Sequence, residues 1–214
     1  MPRQGSVKEK LTMILKINLQ NPQERLLRQA LAVLTGGGII AYPTDTCYAI
    51  GCDLYNTKGI AKIYQIKRRP LSKPFSFICA DLKNISEYAQ VGNYAYKTMK
   101  RLLPGPFTFV MEASRQVPKI LQTKRHTVGI RVPDHPIALG LVTLLGHPII
   151  STSASLPDGP VESDPYEIEE KFKPHLSLVI DGGIVLPVPS SVISLIDDVP
   201  EVIREGKGDV RLFA

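Results

Sequence analysis

Short apolar runs alternate with stretches of helical period along this chain, and that alternation limits its fold more than any other feature. "IIAY" at 39–42, "FSFICA" at 75–80, "FTFVME" at 107–112, "TVGIRV" at 127–132 and "PIIST" at 148–152 read as strands. Between them, "NTKGIAKIYQIK" at 56–67, "VGNYAYKTMKRLL" at 91–103 and "HPIALGLVTLLG" at 135–146 read as helices. Strands alternating with helices pack as an α/β layered fold. A last helix in "SDPYEIEEKFK" is capped by Ser163 or Asp164, with Pro165 in its first turn. The late strands "LSLVID", "SVISLI" and "EVIRE" leave little room for helices between them, so the expected sheet is mixed rather than purely parallel.

The first helix carries its own punctuation. In "NPQERLLRQALAVLTGGG", Asn21 reads as the N-cap, Pro22 as the first helical residue and Glu24 as the capping-box partner. Leu26, Leu27, Ala30, Leu31 and Leu34 make one apolar face, and Gly36 to Gly38 end the helix. No repeat, low-complexity tract or linker interrupts the pattern. Residues 1–12 read as a loose tail, with Met13 as a possible alternative start, and 13–214 as one domain.

With 43% hydrophobic residues over 214 positions, the chain can fill a core. No apolar run reaches membrane-spanning length. The basic N-terminus lacks the apolar stretch of a secretion signal and reads as a cytoplasmic start. Cys47, Cys52 and Cys79 are an odd set without such a signal, so they read as reduced, buried thiols. Cys47 and Cys52 do not have zinc spacing, and the histidines are scattered, so no protein-built metal site is expected.

The net charge is +6. That favours anionic partners such as RNA, nucleotides or phosphorylated substrates without choosing among them. The densest cationic stretch, "QIKRRPLSKP" at 65–74, packs Lys67, Arg68, Arg69 and Lys73 together. If it is extended, Lys67 and Arg69 share a side and Arg68 faces away. A compact basic knot bounded by prolines suits a triphosphate better than an extended nucleic-acid backbone.

No Walker loop, dinucleotide fingerprint, zincin motif or nucleophile elbow is present. Polar residues instead gather at strand ends, where α/β proteins hold ligands. "YPTDTCYAIG" runs from a strand into a proline turn bearing Thr44, Asp45 and Thr46. "STSAS" at 151–155 offers four hydroxyls, and "VPSSV" presents Ser190 and Ser191. Arg131 lies inside an apolar strand and, if buried, needs a carboxylate or a ligand anion. Each cluster alone reads as a turn or cap. Together they suit a cleft for a small polar anion and a polyphosphate.

Several of these segments resemble, in order, those of the YrdC-like family, the threonylcarbamoyl-AMP synthases of tRNA modification. They are "GGIIAYPTDTCYAIGCD", "KRRP" (the family's K-x-R-P), "LLPGPFTFVM", "TVGIRVPDHP", "STSAS" (where the family has S-x-N), "PSSVISL" and "IREG". The resemblance spans residues 22 to about 208, beyond which longer members would add a C-terminal domain. "YAIGC" and "REGKGDVRLFA" look closest to the YciO branch. The resemblance implies a twisted, open, mixed α/β sheet with flanking helices around a deep, positively charged cavity. It implies a reaction in which L-threonine, bicarbonate and ATP, with Mg2+, give threonylcarbamoyl-AMP and pyrophosphate. It also implies tRNA-modification partner proteins downstream.

By position, the resemblance places Lys67 and Arg69 on the ATP phosphates as catalytic cations. Thr44, Arg131, Ser153 and Ser190 fall on the threonine side, with Arg131 on the carboxylate. Lys73, Thr108, Ser155, Ser163 and Arg204 fall on the nucleotide side. Three positions depart from the pattern: Ser155 stands for the S-x-N asparagine, Lys73 for an asparagine and Ile78 for a histidine. Each lost buried contact costs about 1–3 kcal/mol, which implies weaker turnover or a changed substrate. The resemblance leaves open a second reading, a double-stranded RNA- or tRNA-binding protein with weak or no turnover.

Overall fold

A computed structural model describes residues 13–122 and 124–213. The expected tail at 1–12 lies outside the described residues. In chain order the elements are β1 (Met13–Lys16), α1 (Glu24–Thr35), β2 (Ile40–Pro43), β3 (Tyr48–Asp53), α2 (Thr57–Ile66), β4 (Ser76–Ile78), α3 (Leu82–Tyr88) and α4 (Asn93–Leu102). Then come β5 (Phe107–Glu112), β6 (Thr127–Arg131), α5 (Pro136–Leu145), β7 (Ile149–Ser153), α6 (Pro165–Phe172), β8 (Leu178–Asp181), β9 (Ser191–Ser194) and β10 (Glu201–Arg204).

Local chemistry explains most boundaries. Asn56 caps α2 by accepting from Gly59 N, and Asp164 caps α6 by accepting from Tyr166 N with Pro165 next. Pro136 opens α5, and Gly146 closes it at φ 79°, where a Cβ would be strained. The expected start of α1 is corrected: the helix begins at Glu24, and its N-cap is Gln23, not Asn21. Gln23 provides no side-chain cap to α1; its Oε1 instead lies 3.5 Å from Asn18 N. Glu24 pairs forward with Arg28.

All ten strands join one mixed sheet in the order β1-β8-β2-β3-β7-β4-β6-β5-β9-β10. β1–β8, β8–β2, β4–β6 and β5–β9 are parallel, and the other neighbours are antiparallel. The β2–β3 hairpin is tight, closed by Thr44 N donating to Cys47 O. Pro43 therefore ends a strand at a turn rather than breaking one.

The sheet is clothed unequally. One face buries Tyr48, Ile50, Phe77, Phe109, Met111 and Ile130 in a large core shared with α2, α4 and α6. The opposite face packs Ile40, Tyr42 and Ile149 under α1 and α5. Those two helices pack on each other and over the first half of the sheet. The face over β7, β4, β6 and β5 beyond them holds the cavity. All three cysteines are free and buried. Among the described residues, no helix is long and apolar enough to cross a membrane.

Candidate active site

Strand register builds the site. Residues paired across neighbouring strands share a face, and three such rows cross the uncovered half of the sheet. Extending the β7–β4–β6 register by two residues puts the cavity-lining Ser153, Pro74 and Thr127 at one level. Ser151, Ser76, Gly129 and Val110 align at the next. Ile78 and Arg131 continue through Thr108, Val192 and Arg204 at the third. All of these line a cavity of about 450 Å³, within the range of small-molecule sites, about 300–1,000 Å³. The second row is a trough of small side chains. A Cβ on Gly129 would find Ser76 Oγ at 3.4 Å and Thr108 Cγ2 at 3.6 Å, so a larger side chain there would rise into the cavity.

The walls are hydroxyls and arginines. Arg69, Arg131 and Arg204 line the cavity, and no carboxylate does among the described residues. Arg131 is buried, and its Nη2 meets Asp45 Oδ1 at 2.5 Å with side-chain exposures of 8% and 10%. Asp45 sits in the β2–β3 turn, so the sheet itself brings the two together. Asp45 Oδ2 and Arg131 Nε remain buried without partners. His135 packs nearby, and its Nδ1 is also unpartnered. Burial lowers the His135 imidazole to about 4, against the opposing pull of Asp45 and Asp134.

The basic knot does not run extended, which corrects the alternation expected for it. Lys67 caps the end of α2, and Arg68 turns through φ 44°, exposed. Lys67 and Arg69 are nonetheless near one another, because the turn doubles back. Lys67 Nζ donates to Ser155 O and Oγ, both at 2.6 Å, and to Ser153 O at 3.1 Å. Burial, with Arg69 adding to it, lowers this ammonium to about 8. Arg69 lies over the Phe75 ring at 5.3 Å, and burial lowers its guanidinium from the ordinary value. Arg204 donates to Ser190 O at 2.8 Å, and Ser190 Oγ lies 2.8 Å from Thr108 Oγ1. Thr44 Oγ1 is committed to Cys47 O.

Of the residues singled out from sequence, Thr44, Arg69, Thr108, Arg131, Ser153, Ser190 and Arg204 face this one cavity. Lys67 and Ser155 sit behind the Ser153 wall, bonded to each other. Lys73 is exposed on the turn that follows the knot, and Ser163 also lies outside the lining. Ile78 lines the cavity and contributes no polar atom. The sequence marks Asp45 only as one polar residue of the turn after β2 and assigns no role to Ser76 or Gly129. The last two had a signal: they are small or polar at alternate positions of apolar strands.

A family model described as telomere recombination, Sua5/YciO/YrdC, matches residues 32–206. The uncharacterised YciO of Escherichia coli is 43% identical over 199 residues, 92% of this chain and 97% of that protein. Its crystal structure superposes with a TM-score of 0.91, covering 95% of this chain and all of the other, at 41% identity. The threonylcarbamoyl-AMP synthase of Bacillus subtilis is 32% identical over 89% of this chain but only 55% of its own length. Sua5 of P. abyssi, solved with L-threonine, superposes with a TM-score of 0.87 at 29% identity, covering 94% of this chain and 59% of that one. The fold is thus the open mixed sheet of these structures, and the chain belongs to the Sua5/YciO/YrdC family.

Proposed function

We propose that this protein is a threonylcarbamoyl-AMP synthase-type nucleotidyltransferase, joining L-threonine, bicarbonate and ATP and releasing pyrophosphate. One observation carries the reading. A single hydroxyl-rich cavity holds one arginine paired with a carboxylate, Arg131, and two arginines, Arg69 and Arg204, with no ion pair among the described residues, so it offers two different anion seats. Support comes from relatives bearing the synthase name and from the Sua5 relative solved with L-threonine.

In this account Arg131 holds the threonine carboxylate, and Thr44, Ser153 and Ser190, which line the same cavity, contact the rest of the amino acid. Arg69 and Arg204 hold the nucleotide phosphates beside Thr108. The threonine amine attacks the bicarbonate carbon, a C–N bond forms and water leaves. A carbamate oxygen then attacks the α-phosphorus while the bond to the β-phosphate oxygen breaks, and pyrophosphate departs with the electron pair. Charge grows on the leaving group, so fixed cations and positioning supply the catalysis. No side-chain nucleophile is required.

Lys67 takes a different part from the phosphate contact expected for it. An ammonium has three protons to donate, and its three contacts all go to the Ser153–Ser155 segment. Lys67 thus positions the wall that carries Ser153. Lys73 and Ser163 lie outside the cavity lining, so neither is given a contact with the substrates. The residues present do not fit a resident magnesium. Among the described residues no cluster of three His, Cys, Asp or Glu exists, and Asp45 is engaged by Arg131.

The direct test is product identification. Incubation with ATP, magnesium, bicarbonate and L-threonine should yield threonylcarbamoyl-AMP by mass spectrometry, dependent on all three substrates. Formation of no adenylate by protein that binds ATP would refute the reading.

One observation favours RNA as a second ligand. Residues 88–133 carry eight Lys and Arg against Glu112 alone. All but Arg131 of those cations are exposed. Binding of an RNA duplex that weakens steeply with salt would support that reading.

A further inference from the structure

The three cavity arginines are not equivalent. Among the described residues, neither Arg69 nor Arg204 forms an ion pair, whereas Arg131 is paired with Asp45 deep in the wall. The pair is almost wholly screened from water, so its charges cancel within the protein and not through solvent. Asp45 itself does not line the cavity, so it acts through Arg131. The Arg131 Nε, buried and unpartnered, is left for something else to satisfy. A guanidinium held this way keeps its directional N–H groups and loses most of its excess positive charge.

We propose that Asp45 is a specificity-determining positioning residue, which orients Arg131 and neutralises it so that this wall accepts a singly charged carboxylate and rejects phosphates. The inference rests on the proposed reading of Arg131 as the amino-acid end of the site. Its consequence is segregation: polyphosphate is directed to Arg69 and Arg204, and the nucleotide cannot occupy the amino-acid seat. Without Asp45, the Arg131 guanidinium becomes a third unpaired cation in the same cavity. Phosphate groups are drawn to such a site by charge and by bidentate geometry.

The test is calorimetric titration with inorganic pyrophosphate, followed by L-threonine, on wild type, Asp45→Asn and Asp45→Glu. Thermal melts fix conditions in which all three are folded. Asp45→Asn should acquire a second pyrophosphate per chain, and that pyrophosphate should weaken L-threonine binding by about tenfold or more. Asp45→Glu, keeping the charge, should behave as wild type. Adding Arg131→Gln to Asp45→Asn should abolish the extra site, which a merely structural role for Asp45 would not produce. Unchanged pyrophosphate stoichiometry in Asp45→Asn, or a gain that survives Arg131→Gln, overturns the inference. Failure of the proposed reaction shows separately, as no threonine-dependent adenylate from wild type, whatever the stoichiometries are.

Discussion

Separating Arg131 from Asp45 should cost the fold heavily, while removing both should not. The two side chains meet at 2.5 Å with exposures of 8% and 10%, so neither charge has water to replace its partner. Breaking a buried pair from one side costs about 3–5 kcal/mol. Asp45→Asn keeps an acceptor oxygen for the guanidinium and falls near the low end, about 3 kcal/mol. Arg131→Gln strands a buried carboxylate and falls higher in that range. The double variant Asp45→Asn/Arg131→Gln removes both charges together. It also relieves a native arrangement in which Asp45 Oδ2 and Arg131 Nε have no partners. Its loss should stay within about 1–2 kcal/mol. Urea unfolding of the four proteins therefore yields a favourable coupling of at least about 3 kcal/mol. If the two single losses simply add in the double variant, the pair is not an electrostatic unit and the reasoning is wrong.

Three further outcomes follow from other parts of the site. His135 is held neutral by burial, at about 4 when folded and 6.5 otherwise, so the unfolded chain binds more protons between those values. Stability should fall as pH drops from about 6.5 to about 4, by about 3 kcal/mol in all, and His135→Gln should flatten that part of the urea-midpoint profile. Ser155→Ala removes one of three acceptors from Lys67 and should lower stability by about 1–2 kcal/mol; a loss below the error of chemical denaturation would show that Lys67 does not fasten this wall. Gly129→Val should fold but fill the trough in the cavity floor, weakening L-threonine or ATP binding by about tenfold or more in calorimetry. Unaltered binding by a folded Gly129→Val would place the ligands elsewhere.

The sequence displayed some of this molecule openly and concealed other parts for physical reasons. The longer amphipathic segments and the β-rich runs from "FTFVME" onward fold as their periodicity indicates. β1 was missed because "MILK" is too short to show a period, and its stability comes from pairing with β8. β3 was hidden behind the prolines and hydroxyls of the turn before it, although Tyr48 to Cys52 is entirely buried. The α1 cap was misplaced because Asn and Pro at 21–22 imitate a helix start two residues early. At the site, the arginines and hydroxyls stood out as polar residues in apolar surroundings. Asp45 stood out only as one polar residue of a turn, because its pairing with Arg131 depends on contact with a strand 86 positions away. Lys67 shows the reverse case: local charge density pointed to a phosphate ligand, and the fold brings its ammonium onto the Ser153–Ser155 segment, a contact that no local pattern displays.

The most direct test of the central claim is pyrophosphate release from ATP, magnesium and bicarbonate, with and without L-threonine, for wild type, Arg69→Ala and Arg131→Lys. The account predicts release that depends on threonine in wild type. Arg69→Ala should raise KM chiefly for ATP, and Arg131→Lys should raise KM chiefly for threonine. Release that ignores threonine, or two variants that raise both KM values alike, would contradict a cavity with separate seats for amino acid and nucleotide.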